Sequence, residues 1–154
     1  MIKKIISVLL AALMLATTLP LSTLAAEDTS EQAICIYYED GSCLEIIIAE
    51  SLSRASSTKT GSKTFNYKDS NGNLCWTAVL HGTFTYTGTS ATCTASSCNV
   101  SISDSAYYVV SKTVGKSGGS ATATLTMGRK LLGITISKNT YELKLTCDKN
   151  GNLS

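Results

Sequence analysis

One stretch constrains this chain more than any other. In "CWTAVLHGTFTY", Cys75 to Tyr86, the residue character alternates without a break. Trp76, Ala78, Leu80, Gly82, Phe84 and Tyr86 fall on one parity; Cys75, Thr77, Val79, His81, Thr83 and Thr85 fall on the other. Successive side chains leave opposite faces only in an extended chain, so a period of two predicts a half-buried strand. The first set should face a core, with Trp76 as its marker. The second is mostly hydroxylated and should face water, His81 with it.

The flanks agree with that strand. Asn71-Gly72 tolerates positive φ at both positions and predicts a hairpin turn. Counting outward from a two-residue loop sets Tyr67 opposite Trp76 and Phe65 opposite Ala78, all on the core face. On the other side, a loop from Thr87 to Ser90 sets Tyr86 opposite Ala91 and Phe84 opposite Cys93. The alternation then breaks near Ser96-Ser97, where a bulge is expected. Further strands follow in "AYYVVSKTVGK", "ATATLTM", "LLGITIS" and "TYELKLTC". Upstream, Ile34–Tyr38 and Leu44–Ala49 flank Asp40-Gly41 as a separate hairpin.

Serine and threonine make up 37 of the roughly 128 residues after position 26, and the one proline is Pro20. Hydroxylated side chains suit the outer faces of strands and compete with helical backbone. The expectation is all-β: a β-sandwich of about seven antiparallel strands preceded by an N-terminal β-hairpin. Its organisation reads as a signal peptide (1–26), an acidic segment with the hairpin (27–50), a polar linker (51–62) and the sandwich domain (63–154).

The signal peptide rests on Lys3 and Lys4, the apolar run Ile5 to Leu19, and small residues before Ala25 and Ala26. It implies a secreted, extracellular product with no membrane anchor in the mature chain. Its removal leaves 11 basic and 11 acidic side chains, too little excess for a nucleic-acid surface. The charges are unevenly placed. Residues 27–50 carry seven acids and no Lys or Arg, whereas 51–154 carry 11 cations and 4 acids. The acidic segment is therefore either a solvated leader or a shield docked on the basic domain.

All six cysteines follow the signal, and export favours disulfides. Face parity points Cys93 and Cys147 inward on distant strands and makes them the leading pair; Cys35 with Cys43 and Cys75 with Cys98 are weaker candidates. No C-x2-C pair accompanies the single His, so no metal site is expected. No G-x-S-x-G, H-E-x-x-H or phosphate loop is present, and neither a catalytic residue nor a cofactor is assigned. Asp69, Asp104 and Asp148 sit where Asp caps turn amides. Three functions remain open: a non-catalytic interaction domain for an extracellular protein or glycan, a carbohydrate-binding module using an exposed Tyr38 or Tyr108, and a hydrolase assembled from distant strands.

The stretches "SRASSTKTGSKTFNYKDSNGNLCWTAVLHGTFTYTGTSATCTASS", "YYVVSKTVGKSGGSATATLTM" and "ELKLTCDKNGNLS" resemble a family of small secreted β-rich proteins of Gram-positive, often gut-dwelling, bacteria, a domain of unknown function. The resemblance covers residues 53–154. It implies export and a β-rich domain and supplies no catalytic residue. Cys93 and Cys147 lie in its motifs; Cys35, Cys43, Cys75 and Cys98 are less typical of it. An immunoglobulin topology is not implied, because Trp76 precedes both Cys93 and Cys147.

Overall fold

The computed structural model describes residues 32–51 and 57–154. The signal peptide expected over 1–26 lies outside the described residues. Eight strands follow in order: β1 (Gln32–Tyr37), β2 (Cys43–Ser51), β3 (Thr58–Lys68), β4 (Leu74–Tyr86), β5 (Ala91–Ile102), β6 (Tyr107–Ser117), β7 (Ser120–Leu131) and β8 (Ile134–Thr146). They form a five-stranded sheet, β1-β2-β3-β4-β5, and a three-stranded sheet, β6-β7-β8. Every neighbouring pair is antiparallel. The protein is an all-β sandwich.

Alternation builds the core. Trp76, Ala78, Leu80 and Phe84 of β4 are fully buried, and Leu125 of β7 with Leu143 and Leu145 of β8 close over them from the second sheet. Each large side chain contributes about 1.5–3 kcal/mol by leaving water. The register sets Tyr67 opposite Trp76, Phe65 opposite Ala78 and Phe84 opposite Cys93.

Several details differ from the sequence expectation. The N-terminal hairpin does not precede the sandwich as a separate unit. Strand β2 pairs with β3 along nine residues, from Cys43 with Lys68 to Ser51 with Thr60. Long-range pairing of Leu44, Ile46 and Ile48 with Tyr67, Phe65 and Lys63 draws the hairpin into the larger sheet. Residues 58–62, expected in the linker, are the first half of β3. Two expected C-terminal strands are one: β8 runs for 13 residues, and the turn before it is Leu132-Gly133. Six strands, not about seven, therefore follow the hairpin.

Two bulges also move residues between faces. A register shift between Tyr67 and Lys68 leaves Cys75 as an extra residue and turns it inward; it is only 1% exposed, not on the wet face. The second shift lies at Thr83/Phe84, so the extra residue is Thr94 rather than one near Ser96-Ser97, and Ala95 becomes exposed.

The two edges of the larger sheet are treated differently. On β5, Lys112 Nζ donates to the Cys98 carbonyl and Lys116 Nζ to that of Thr94, each at 2.6 Å. Ser96 Oγ returns a bond to the Gly115 carbonyl at 2.9 Å. Lysines of β6 thus satisfy an edge that would otherwise template further strands. On β1, beyond the reach of the smaller sheet, Ile34 and Ile36 remain exposed.

One loop is used twice. "DSNGN" (69–73) and "DKNGN" (148–152) share the pattern D-x-N-G-N. In each, the Asp carboxylate accepts backbone N–H groups two and four residues on, and the side-chain amide of the last Asn. The structure thus gives Asp69 and Asp148 turn-capping roles, and Asp104 caps Ala106 in the same way. After the second loop, Leu153 pairs with Cys147 and Ser154 with Thr146, and Leu153 packs over Gly61.

The described part of the acidic segment docks through β2. Glu45 pairs with Lys68 at 3.0 Å and Glu50 with Lys59 at 2.7 Å. Glu50 also accepts the Leu153 N–H. Such partly exposed pairs contribute up to about 1 kcal/mol each.

Candidate functional site

Where the β1–β2 turn meets the emerging part of β8, the sandwich opens into a cleft of about 300 Å³. Tyr38, Asp40 and Ser42 come from that turn, Tyr67 from β3, and Asn139, Thr140 and Tyr141 from β8. Three segments distant in sequence converge because β2 joins the larger sheet and β8 crosses above β3.

The floor is aromatic. Tyr67 stacks on Trp76 with centroids 5.4 Å apart, and Tyr141 meets both rings edge-on, 6.2 Å from Tyr67 and 5.0 Å from Trp76. Tyr38 tilts against Tyr67 at 6.1 Å and keeps 39% of its surface exposed. Offset and edge-to-face contacts of this kind fix ring positions. The polar groups are aimed with equal care. Tyr67 Oη donates to Ser42 Oγ at 3.0 Å, and Ser42 donates to Asp40 from both its hydroxyl and its backbone N–H. Those two bonds, the hydroxyl's first, hold the Asp40 carboxyl below its usual range. Burial pushes the phenols of Tyr141 and Tyr38 up, so both stay protonated near neutrality. The site offers ring faces, neutral hydroxyls, one amide and one carboxylate.

The residues singled out in the sequence are scattered by comparison. Tyr38 lines the cleft. Tyr108 lies elsewhere, with its ring over Gly128, where a Cβ would overlap it, and its hydroxyl on Thr135 at 2.7 Å. Trp76 is under the cleft, fully buried, and its Nε1–H has no hydrogen-bond partner among the described residues. His81 is half-buried on the outer face of the larger sheet, between Ser62 and Ser97 of the flanking strands. Shallow hollows lie on either side of it. Among the described residues no hydrogen bond joins His81 to either serine. No group of three or more His, Cys, Asp and Glu among the described residues is arranged to hold a metal ion.

The six cysteines are free thiols, so none of the three expected bridges is formed in this structure. Cys75 and Cys98 are kept apart by register: Cys98 faces Leu80, five residues from Cys75, roughly 16 Å along the strand. Cys35 faces Glu45 and Cys43 faces Tyr37, so these two thiols are diagonal neighbours. Cys93 and Cys147 share a turn: Cys93 N–H donates to the Gly118 carbonyl at 2.7 Å and Cys147 N–H to that of Gly119 at 2.8 Å. Burial raises the pKa of Cys75, Cys93, Cys98 and Cys147 and suppresses their thiolates.

Sequence reasoning found Tyr38 and missed Asp40, Ser42, Tyr67, Asn139 and Tyr141 as partners in one site. No local motif links them; only the pairing of β2 with β3 does. No protein-family model, curated protein or solved structure matches the chain.

Proposed function

We propose that this protein is a secreted, non-catalytic interaction domain that holds a glycan in the Tyr38 cleft. The observation that carries the reading is the chain Tyr67–Ser42–Asp40, which ends on a carboxylate beside the exposed ring of Tyr38. A pyranose has an apolar face that stacks on a phenol ring and hydroxyls that donate to a carboxylate or an amide, and the cleft supplies both. Among the described residues Asp40 is the only carboxylate lining it, whereas glycoside hydrolysis ordinarily uses a pair. Export rests on the basic and apolar N-terminal run and on the resemblance to small secreted proteins of Gram-positive bacteria.

Glycan-array screening of the purified protein, followed by calorimetric titration of the best ligand, tests the reading. Tyr38→Ala and Asp40→Ala should each lower affinity at least about tenfold with the β signal in circular dichroism unchanged. No glycan bound, or binding indifferent to both substitutions, would overturn the glycan. Turnover of a substrate, lost on His81→Ala in a folded protein, would overturn the non-catalytic assignment in favour of a hydrolase.

A further inference from the structure

The β7–β8 hairpin carries four large apolar side chains into solvent. Leu131 is 60% exposed, Leu132 95%, Ile134 71% and Ile136 51%. The turn itself is unfavourable for its sequence. Leu132 has φ 50° and Gly133 φ 82°. Consecutive positive φ values belong to the tight hairpin turn that Asn-Gly ordinarily fills, and a Cβ-bearing leucine resists that conformation. Leucine at this position gains almost no burial within the molecule in exchange. Strain combined with exposure points outward, to something the tip contacts.

Charge indicates what that is. Between Asp104 and Glu142 the chain carries Lys112, Lys116, Arg129, Lys130 and Lys138 and no acidic residue. Lys112 and Lys116 are engaged on the edge of β5. Arg129, Lys130 and Lys138 are exposed and flank the tip, with Arg129 over the Tyr107 ring and Lys130 over that of Tyr108. We propose that this hairpin docks the protein on an anionic lipid surface. Leu131, Leu132, Ile134 and Ile136 enter the boundary between headgroups and acyl chains, and the cations behind them meet lipid phosphates. A narrow convex tip presents little area to a rigid protein surface but wedges readily into a deformable bilayer. The apolar tip is not part of the Tyr38 cleft, but Arg129 behind it also acts on Asp40 of that cleft and on Asp69.

Co-sedimentation of the purified protein with vesicles tests it. Vesicles of mixed phosphatidylglycerol and phosphatidylcholine should bind the protein, vesicles of phosphatidylcholine alone far less, and added salt should release it. Leu132→Asn puts a residue that tolerates the turn in place of the apolar tip, so the fold is kept, and partitioning should fall roughly tenfold or more. Lys130→Gln with Lys138→Gln should weaken binding and flatten its salt dependence. Failure of the unaltered protein to bind the anionic vesicles, or equal binding by Leu132→Asn, would overturn the proposal. A lipid-free dimer that Leu132→Asn dissociates would overturn it too, by assigning the tip to a second copy.

Discussion

The phenol ring of Tyr67 lies flat on the indole of Trp76, its plane 4° from parallel, while its hydroxyl reaches Ser42 at the mouth of the cleft. One side chain therefore joins the largest fully buried residue of the core to the candidate site. Packing sets its ring, and the ring sets the hydroxyl that orients Ser42 and, through it, Asp40.

Removing the lower half of this stack should be severe. Trp76→Ala leaves a cavity beneath Tyr67 and Tyr141 and should cost about 3–5 kcal/mol in urea unfolding. Native Trp76 fluorescence should be blue-shifted and resist iodide, given its complete burial.

Tyr67→Phe keeps the stack and deletes the buried hydrogen bond to Ser42. Stability should fall by about 0.5–1.5 kcal/mol. Glycan affinity should fall as well, because Ser42 is freed to turn from Asp40. A variant of lowered stability and unchanged affinity would separate the hydroxyl from the site.

Acid should weaken the fold through its turns. Hydrogen bonds from Ser42, Asn73 and Asn152 hold Asp40, Asp69 and Asp148 below the ordinary carboxylate range. A depressed folded-state pKa gives stability that is complete above the unfolded value, near 4, and is lost as pH falls through the folded one. Urea midpoints should therefore be level from about pH 7 to pH 5 and decline below about pH 4. Asp148→Ala should lower the plateau and make the decline shallower.

Cys93 and Cys147 are anchored to adjacent carbonyls of one turn, Gly118 and Gly119. Oxidation by a small-molecule disulfide should join them, the two thiols losing two electrons and two protons as the reagent is reduced to thiols. Non-reducing peptide mapping should recover the linked fragment. The bridge should add roughly 4 kcal/mol in the chain-entropy model. A map joining either cysteine to a different partner would show that the turn does not bring their side chains together.

Much of the larger sheet is legible in the residues themselves. The alternation on both sides of the Asn-Gly turn places Tyr67 on Trp76 and Phe65 on Ala78, but the two-residue count reaches that register only because two offsets cancel. The loop holds three residues, Ser70 to Gly72, with positive φ at Gly72 and not at Asn71, and the Cys75 bulge restores the pairing. What fails to show is which residue shifts the count: the break in β5 is expected near Ser96-Ser97 and lies at Thr94, and nothing marks the one at Cys75. The bulges at Cys75 and Thr94 carry no distinctive residue type, so Cys75 reads as wet although it is buried. Leu132-Gly133 is hidden because leucine is not a turn former. The cleft is hidden for another reason: Asp40, Tyr67 and Tyr141 meet only after β2 has paired with β3 and β8 has folded over both.

The twin D-x-N-G-N loops bear on how the protein ages. Asn-Gly is the pair most prone to deamidation, which begins when the glycine nitrogen attacks the asparagine side chain. Here Gly72 N–H is held by the Asp69 carbonyl at 2.9 Å and Gly151 N–H by that of Asp148 at 3.1 Å. While the loops stay closed, both nitrogens are occupied. Isoaspartate at positions 71 and 150 would therefore accumulate only while a loop is open, and its amount in an old preparation would record how long each loop had been undone.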